Sequence, residues 1–141
     1  AALYTANADK FLEGLTGIAA VYDQVRKNTK GYTYFATEPI ADWLLADLGF
    51  VNKTPADFSK AIENETDVAP SVMKESLDLI KSGKIKYLVV NSQTLNAQVR
   101  QIVDAANAAG VREVVLSEVM PTGAGYVEWM GDNLVTLDPT K

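Results

Sequence analysis

Two glutamates and a group of neutral polar residues stand directly behind the strand-like segments of this 141-residue chain. Glu38 follows the first such segment, Asn91 and Gln93 follow a later one, and Glu118 follows the last. In a parallel sheet the carboxyl ends of the strands meet at one edge, where ligands bind, so we expect these side chains to share that edge. Carboxylates there can act as general bases when burial raises their pKa, or they can bind a cation through oxygen.

The residue types that are absent remove whole classes of chemistry. The sequence has 0 Cys and 0 His, which excludes a thiol nucleophile, a cysteine-rich zinc site, a Ser-His-Asp triad and a histidine base. Any transition-metal site built from this chain alone must therefore use oxygen ligands. With 13 Lys and Arg against 18 Asp and Glu, the net charge of -5 has the wrong sign for binding phosphates, so we expect no nucleic-acid partner.

The length and hydropathy pattern predict one compact domain with a buried core. No apolar run approaches the roughly 20 residues that cross a bilayer, and no basic stretch precedes an apolar one near residue 1. We therefore expect a soluble chain, or one that has lost the segment that exported it.

Helix-like and strand-like segments alternate along the sequence, as judged from apolar spacing and from glycine and proline punctuation. The predicted helices are Leu3–Lys30, Ile40–Leu48, Thr54–Ile62, Ser71–Lys81, Leu95–Ala109 and Tyr126–Leu137; the predicted strands are Tyr32–Thr37, Phe50–Asn52, Ile85–Val90 and Val111–Leu116. The last two strands are expected to be buried. This order predicts an α/β fold: a three-layer sandwich with a mostly parallel sheet of about four strands, a Rossmann-like lobe preceded by a long N-terminal helix.

Several other residues are explained by a role in the fold rather than by a role in chemistry. Thr54 is predicted to cap its helix, and Trp43 and Trp129 are predicted to pack in or around the core. Gly14 and Gly17 each cost about 1 kcal/mol relative to alanine inside a helix, so they either weaken the case for a helix there or mark a close approach of another element.

The two glutamates also have simpler explanations. Pro39 favours an extended backbone at Glu38 and is predicted to open the next helix, whose N-terminus would favour the ionised carboxylate by about 0.3–1 kcal/mol. The alternative is that Glu38 only marks the start of that helix. Glu118 could equally be a solvated turn residue.

The other polar residues of these loops are less informative. Asn91 and Gln93 are expected to satisfy backbone groups of their loop rather than to touch a ligand. The acids Glu63, Glu65 and Asp67 are interpreted as a solvated loop and a helix cap, with lining of the binding cleft as the less favoured alternative.

Six stretches between Tyr32 and Leu137 form an ordered set: YFATEPIADWLL at 34–45, TPADF at 54–58, TDVAP at 66–70, VNSQT at 90–94, SEVMP at 117–121 and YVEWM at 126–130. Taken in this order, they resemble the C-terminal lobe of the zinc- and manganese-binding solute-binding proteins of bacterial ABC importers, in the variant common in Gram-positive bacteria. The resemblance implies that residues 31–141 form a metal-binding lobe and that residues 1–30 are part of the helix that joins two lobes.

The resemblance also implies a site and its partners. In the family each lobe supplies two metal ligands, and the C-terminal pair corresponds here to Glu38 and Glu118. The other two ligands are usually histidines of an N-terminal lobe, which this chain lacks. We therefore expect an extracytoplasmic protein, lipid-anchored when full-length, that delivers Zn or Mn to a membrane permease and is not an enzyme.

The charges agree with this interpretation, since two glutamates carry the -2 that matches a divalent cation. The isolated lobe is expected to bind metal weakly or not at all. Two other classes stay open from the residues alone: an open-sheet enzyme using Glu38 or Glu118 as a base, and a regulatory or protein-binding α/β module without a metal site.

Overall fold

A computed structural model describes residues 2–141 and contains a four-stranded sheet with all strands parallel. The strands are β1 (Thr33–Ala36), β2 (Val51–Asn52), β3 (Tyr87–Asn91) and β4 (Arg112–Leu116), and their order in the sheet is β2-β1-β3-β4. The helices are α1 (Ala2–Thr29), α2 (Asp42–Asp47), α3 (Ala56–Glu63), α4 (Pro70–Lys81), α5 (Ala97–Ala108) and α6 (Tyr126–Leu137). The prediction of an α/β sandwich on a parallel sheet, preceded by a long helix, is confirmed.

The chain divides into two compact units. The sheet unit is Gly31–Glu118, and the helix-pair unit consists of Ala1–Lys30 together with Val119–Lys141. By its contacts α6 therefore groups with α1, although the sequence assigned residues 31–141 to a single lobe. The roles of those two segments, as joining helix and as lobe, remain a prediction.

The core of the sheet unit lies between the sheet and α3, α4 and α5. Phe35 and Leu88 are register partners on adjacent strands and are fully buried in this core. Phe35 packs edge-on against Phe58 of α3, with ring centroids 5.0 Å apart. Alternation along β1 and β3 turns Tyr34 and Tyr87 to the opposite face of the sheet. Because both faces of β3 are covered, its buried state agrees with the prediction.

The prediction that the last strand is buried is wrong for one of its faces. β4 lies at the edge of the sheet, and Glu113 and Val115 are exposed, Val115 by 50%. The apolar run predicts a buried strand, but β4 has a neighbouring strand on one side only, and the face that carries Glu113 and Val115 is open to solvent.

Three predicted helix starts, those of α2, α3 and α5, lie two residues too early. α2 begins at Asp42 instead of next to Pro39, because residues 37–41 form bends and turns. α3 begins at Ala56, and Thr54 does not cap it: the Thr54 hydroxyl oxygen instead accepts the Ala36 N–H at 2.8 Å, outside the sheet ladder.

Trp43 is 92% exposed, contrary to the packing prediction. In α2 the buried residue is Leu45, and residues two apart in a helix point in nearly opposite directions. Trp129 of α6 is partly buried, as its predicted packing requires.

The helix-pair unit packs α1 on α6 through a close approach at Gly14. A Cβ at Gly14 would lie 2.9 Å from Cγ2 of Val127, whereas a Cβ at Gly17 would meet open space. The predicted close packing is thus confirmed at Gly14 only. Among residues 2–141, none of the helices combines the length and the apolar character that crossing a bilayer requires.

Candidate metal centre

Glu38 lies in the loop that follows β1, and both ends of this loop are fixed. On one side the buried Thr37 donates its N–H to the Val89 carbonyl at 2.9 Å, which extends the ladder to β3. On the other side Asp42 accepts hydrogen bonds from the Tyr34 hydroxyl at 2.8 Å and from Asn52 at 3.3 Å. Burial, and then the hydrogen bond to Asp42, raise the pKa of Tyr34 above its ordinary value, so the donating hydroxyl persists further into the alkaline range.

The predicted helix-terminus effect on Glu38 does not occur. α2 begins four residues later and is only six residues long, so Glu38 is not part of its first turn. The half-buried carboxylate is instead positioned by the loop and by one side chain from β3.

Glu118 lies two residues beyond the end of β4 and is exposed. Its backbone N–H donates to Oε1 of Gln93 at 3.1 Å, and Ser92 N–H donates to the Leu116 carbonyl at 2.9 Å. The loops that follow β3 and β4 are therefore joined directly, which places Glu118 at the same edge of the sheet as Glu38.

Asn91 connects the two carboxylates. Its side-chain nitrogen donates to Oε2 of Glu38 at 2.5 Å and to Oε1 of Glu118 at 2.9 Å. The two carboxylate oxygens can therefore be no farther apart than the sum of these two bonds. The expectation that both glutamates and the polar residues behind β3 share one edge agrees with this geometry.

The expectation that Asn91 and Gln93 satisfy loop backbone groups is correct but incomplete. Oδ1 of Asn91 accepts the Gln93 N–H at 3.0 Å, and Oε1 of Gln93 accepts the Glu118 N–H. The contact of Asn91 with both carboxylates was missed. Its position could have indicated it, since Asn91 ends the strand between the two that lead to Glu38 and Glu118.

Further acids surround the pair. A cavity of about 390 Å³ is lined by Glu38 and Glu118 together with Pro39, Ile40, Ile62, Glu63, Glu65 and Thr94. Asp67 lines a neighbouring cavity of about 540 Å³ that also reaches Glu38. The sequence favours a solvated loop and a helix cap for these acids over lining of the cleft. None of them caps α4, whose N-cap residue is Ala69 and has no side-chain hydrogen bond. This concentration of carboxylates favours cations over anions.

Glu38 and Glu118 are the two metal ligands that the sequence predicts, and both of their carboxylates contact the Asn91 amide. Within residues 2–141 no three Asp or Glu side chains are grouped closely enough to hold a metal ion together. Two carboxylates alone would leave a divalent cation with coordination positions to be filled by other groups.

The fold matches one half of several solved binding proteins. The TM-score is 0.66 with the periplasmic zinc-binding protein TroA from Treponema pallidum, at 17% identity over 95% of this chain and 50% of that one. It is 0.61 with the laminin-binding protein Lbp of Streptococcus pyogenes, at 21% identity over 95% and 50%. It is 0.63 with the protein FpvC from Pseudomonas aeruginosa in complex with Mn²⁺, at 17% identity over 97% and 49%.

The chain spans about half the length of each of these structures, and identities this low establish the fold alone. Sequence comparison goes further, since the profile of the family ZnuA, zinc-uptake complex component A, periplasmic, matches residues 1–139. The chain belongs to this family, which confirms the resemblance found in the sequence. The comparison with curated protein sequences gave no match.

Proposed function

We propose that this chain is the C-terminal lobe of the metal-binding component of an ABC importer, and that Glu38 and Glu118 are its two ligands to Zn or Mn. The observation that carries the proposal is the convergence of both carboxylates on the Asn91 amide, at 2.5 and 2.9 Å. A positive ligand that approaches this edge meets two negative charges within reach of one ion.

The two glutamate carboxylates suit a divalent ion that is bound and later released. Zinc takes four ligands in closed sites, and both zinc and manganese accept carboxylate oxygen, so two glutamates leave coordination positions to be filled. We propose that a second lobe fills them, as the half-length match to whole binding proteins supports. Metal binding by the lobe alone is then weak or absent. TroA is described as zinc-binding and FpvC is complexed with Mn²⁺, so both metals are candidates.

The family description also supports a location and a partner. A periplasmic zinc-uptake component works outside the cytoplasm and passes its ion to the membrane permease of the importer. We propose this role here, with lipid anchoring of the full-length protein. The role is binding and release, and it assigns no catalytic step to Glu38 or Glu118.

Metal titration of the complete natural polypeptide that contains residues 1–141 tests the proposal. Glu38→Gln and Glu118→Gln should each weaken Zn²⁺ or Mn²⁺ binding by more than the roughly 10–100-fold typical of residues that only support a ligand. Glu113→Gln is the matched control, because Glu113 is an exposed glutamate on β4 that does not line the cavity. No binding by the unmodified protein, or unchanged affinity in both variants, would contradict the proposal and favour a protein-binding module.

A further inference from the structure

We propose that Asn91 is a positioning residue for the captured ion: its amide nitrogen holds Glu38 and Glu118 toward one point and keeps these hydrogen bonds when the ion binds. The inference rests on the proposed function, and it concerns a residue that is not itself a ligand. It follows from the burial of Asn91, the orientation of its amide and the lone pairs that remain on the carboxylates.

Asn91 is the most firmly held residue of the site. It is 0% exposed, it ends the central strand β3, and it is the register partner of Leu116 on β4. Its backbone N–H also donates to the Thr37 hydroxyl at 3.3 Å. Glu38 is half-buried and Glu118 is exposed, so the amide is the fixed reference and the carboxylates are the groups that it restrains.

The neighbours of Asn91 determine which way its amide faces. Oδ1 must face the Gln93 N–H, because only the oxygen can accept that hydrogen bond. The nitrogen must then face the two carboxylates, and each of its two hydrogens serves one of them. A residue needed only for the turn would require the oxygen alone, so the two contacts of the nitrogen need a separate explanation.

The amide and a cation can use the same pair of carboxylates together. An ionised carboxylate offers about four lone-pair positions, and Asn91 occupies one on each glutamate. The remaining positions stay available to an ion. Side chains held in advance lose less freedom on binding, and partners of this kind orient metal ligands in many proteins. Asn91 thus prepares the pair for the ion without blocking it.

The first test observes the Asn91 side-chain amide directly by ¹⁵N NMR, in the complete natural polypeptide freed of divalent metal. Glu38→Gln and Glu118→Gln should each shift the two amide proton signals, because each removes a charged acceptor from one hydrogen. Glu113→Gln should leave them in place. Signals that neither glutamine variant moves would overturn the inference, and this result does not depend on metal binding.

The second test measures Zn²⁺ affinity by calorimetry. Asn91→Leu should weaken binding by about 10–100-fold, the range found when a supporting partner of a metal ligand is removed. The control is Ile80→Val, which shortens a fully buried side chain of α4 that lines neither cavity, and it should lower the melting temperature with unchanged affinity. This pair separates positioning from a general loss of stability.

The outcomes also separate this inference from the proposed function. If both glutamine variants lose affinity while Asn91→Leu keeps it, or binds more tightly, then the positioning role is wrong and the metal site stands. If the glutamine variants keep the affinity of the unmodified protein, then the metal site itself is wrong and the positioning role falls with it. If Asn91→Leu does not fold, the NMR result on the remaining variants decides.

Discussion

The sheet unit and the helix pair differ in how they use apolar residues. In the sheet unit one continuous core extends from β1 and β3 through α3, α4 and α5. In α1 the large apolar residues of the N-terminal half are mostly exposed, with Leu3 at 71%, Tyr4 at 79% and Leu12 at 59%. Both regions show regular apolar spacing in the sequence, so spacing predicts the element but not the extent of its burial.

This difference indicates where the stability of the chain resides. Buried area determines the hydrophobic contribution to folding, and the strands that lead to Glu38, Asn91 and Glu118 belong to the unit with the larger core. Local opening is expected first where few apolar contacts are buried, which is the N-terminal half of α1. The candidate site therefore lies in the unit that is expected to resist local unfolding more strongly.

The largest expected effect contrasts the two regions directly. Leu88→Ala removes a fully buried side chain from β3 and should lower the free energy of unfolding by about 2–5 kcal/mol. Leu12→Ala, at an exposed position of α1, should change it by less than about 0.5 kcal/mol. Urea unfolding at a fixed pH measures both. Equal losses would show that the exposed stripe of α1 is covered in solution.

The second prediction uses the two glycines of α1. Gly14→Ala forces a Cβ to 2.9 Å from Val127, and such overpacking costs about 1–3 kcal/mol, which exceeds or cancels the better helix propensity of alanine. Gly17→Ala meets no neighbour and should instead stabilise the protein by up to about 1 kcal/mol. Thermal unfolding of the two variants gives the comparison. A stabilising Gly14→Ala would mean that α1 and α6 pack less closely than described.

The smallest effect concerns Asp138, at the C-terminal end of α6. The backbone N–H of Thr140, its hydroxyl and the Asn28 amide donate to this carboxylate, and they hold its pKa below the usual value although burial opposes them. A lowered pKa in the folded state stabilises the protein above the unfolded pKa of about 3.9, and this stabilisation is lost as the pH falls through the lower folded pKa.

Asp138→Asn should therefore cost about 1 kcal/mol at pH 7, and the cost should vanish in strong acid. Unfolding curves for the variant and the unmodified chain across this pH range provide the measurement. Asp132→Asn, at an exposed position of α6, serves as the control. A loss that is the same at pH 7 and in strong acid would assign the effect to packing rather than to charge.

Most elements of the fold could be predicted because their signals are local. Glycine stops, apolar runs and strand-helix alternation located every strand and helix to within a few residues. The errors arose where the outcome depends on distant partners. Threonine is a residue type that commonly caps helices, yet the hydroxyl oxygen of Thr54 accepts the Ala36 N–H instead. Valine is a residue type that is usually buried, yet Val115 is exposed and its strand lies at the edge of the sheet.

The candidate site also has one part that could be predicted from the sequence and one part that could not. Glu38 and Glu118 could be placed at one edge, because strand ends in a parallel sheet follow from topology. The strand order places Asn91 between the two acids, but the hydrogen bonds by which it joins them could not be predicted, since they depend on which side-chain atom faces which neighbour. An asparagine followed two residues later by an available N–H predicts the turn, and nothing local to it shows that the other end of the amide meets two acids from flanking loops.

The register of the three strands has a practical consequence for anyone who purifies this protein. Sliding β3 by one residue against its neighbours would turn the Asn91 side chain to the opposite surface of the sheet and separate it from both acids. If Glu38, Asn91 and Glu118 act as proposed, the slipped protein would lose the metal site while its helices, and therefore its helical circular-dichroism spectrum, stayed the same. Metal titration of the complete natural polypeptide would then report the alignment of these strands, which the helical spectrum does not.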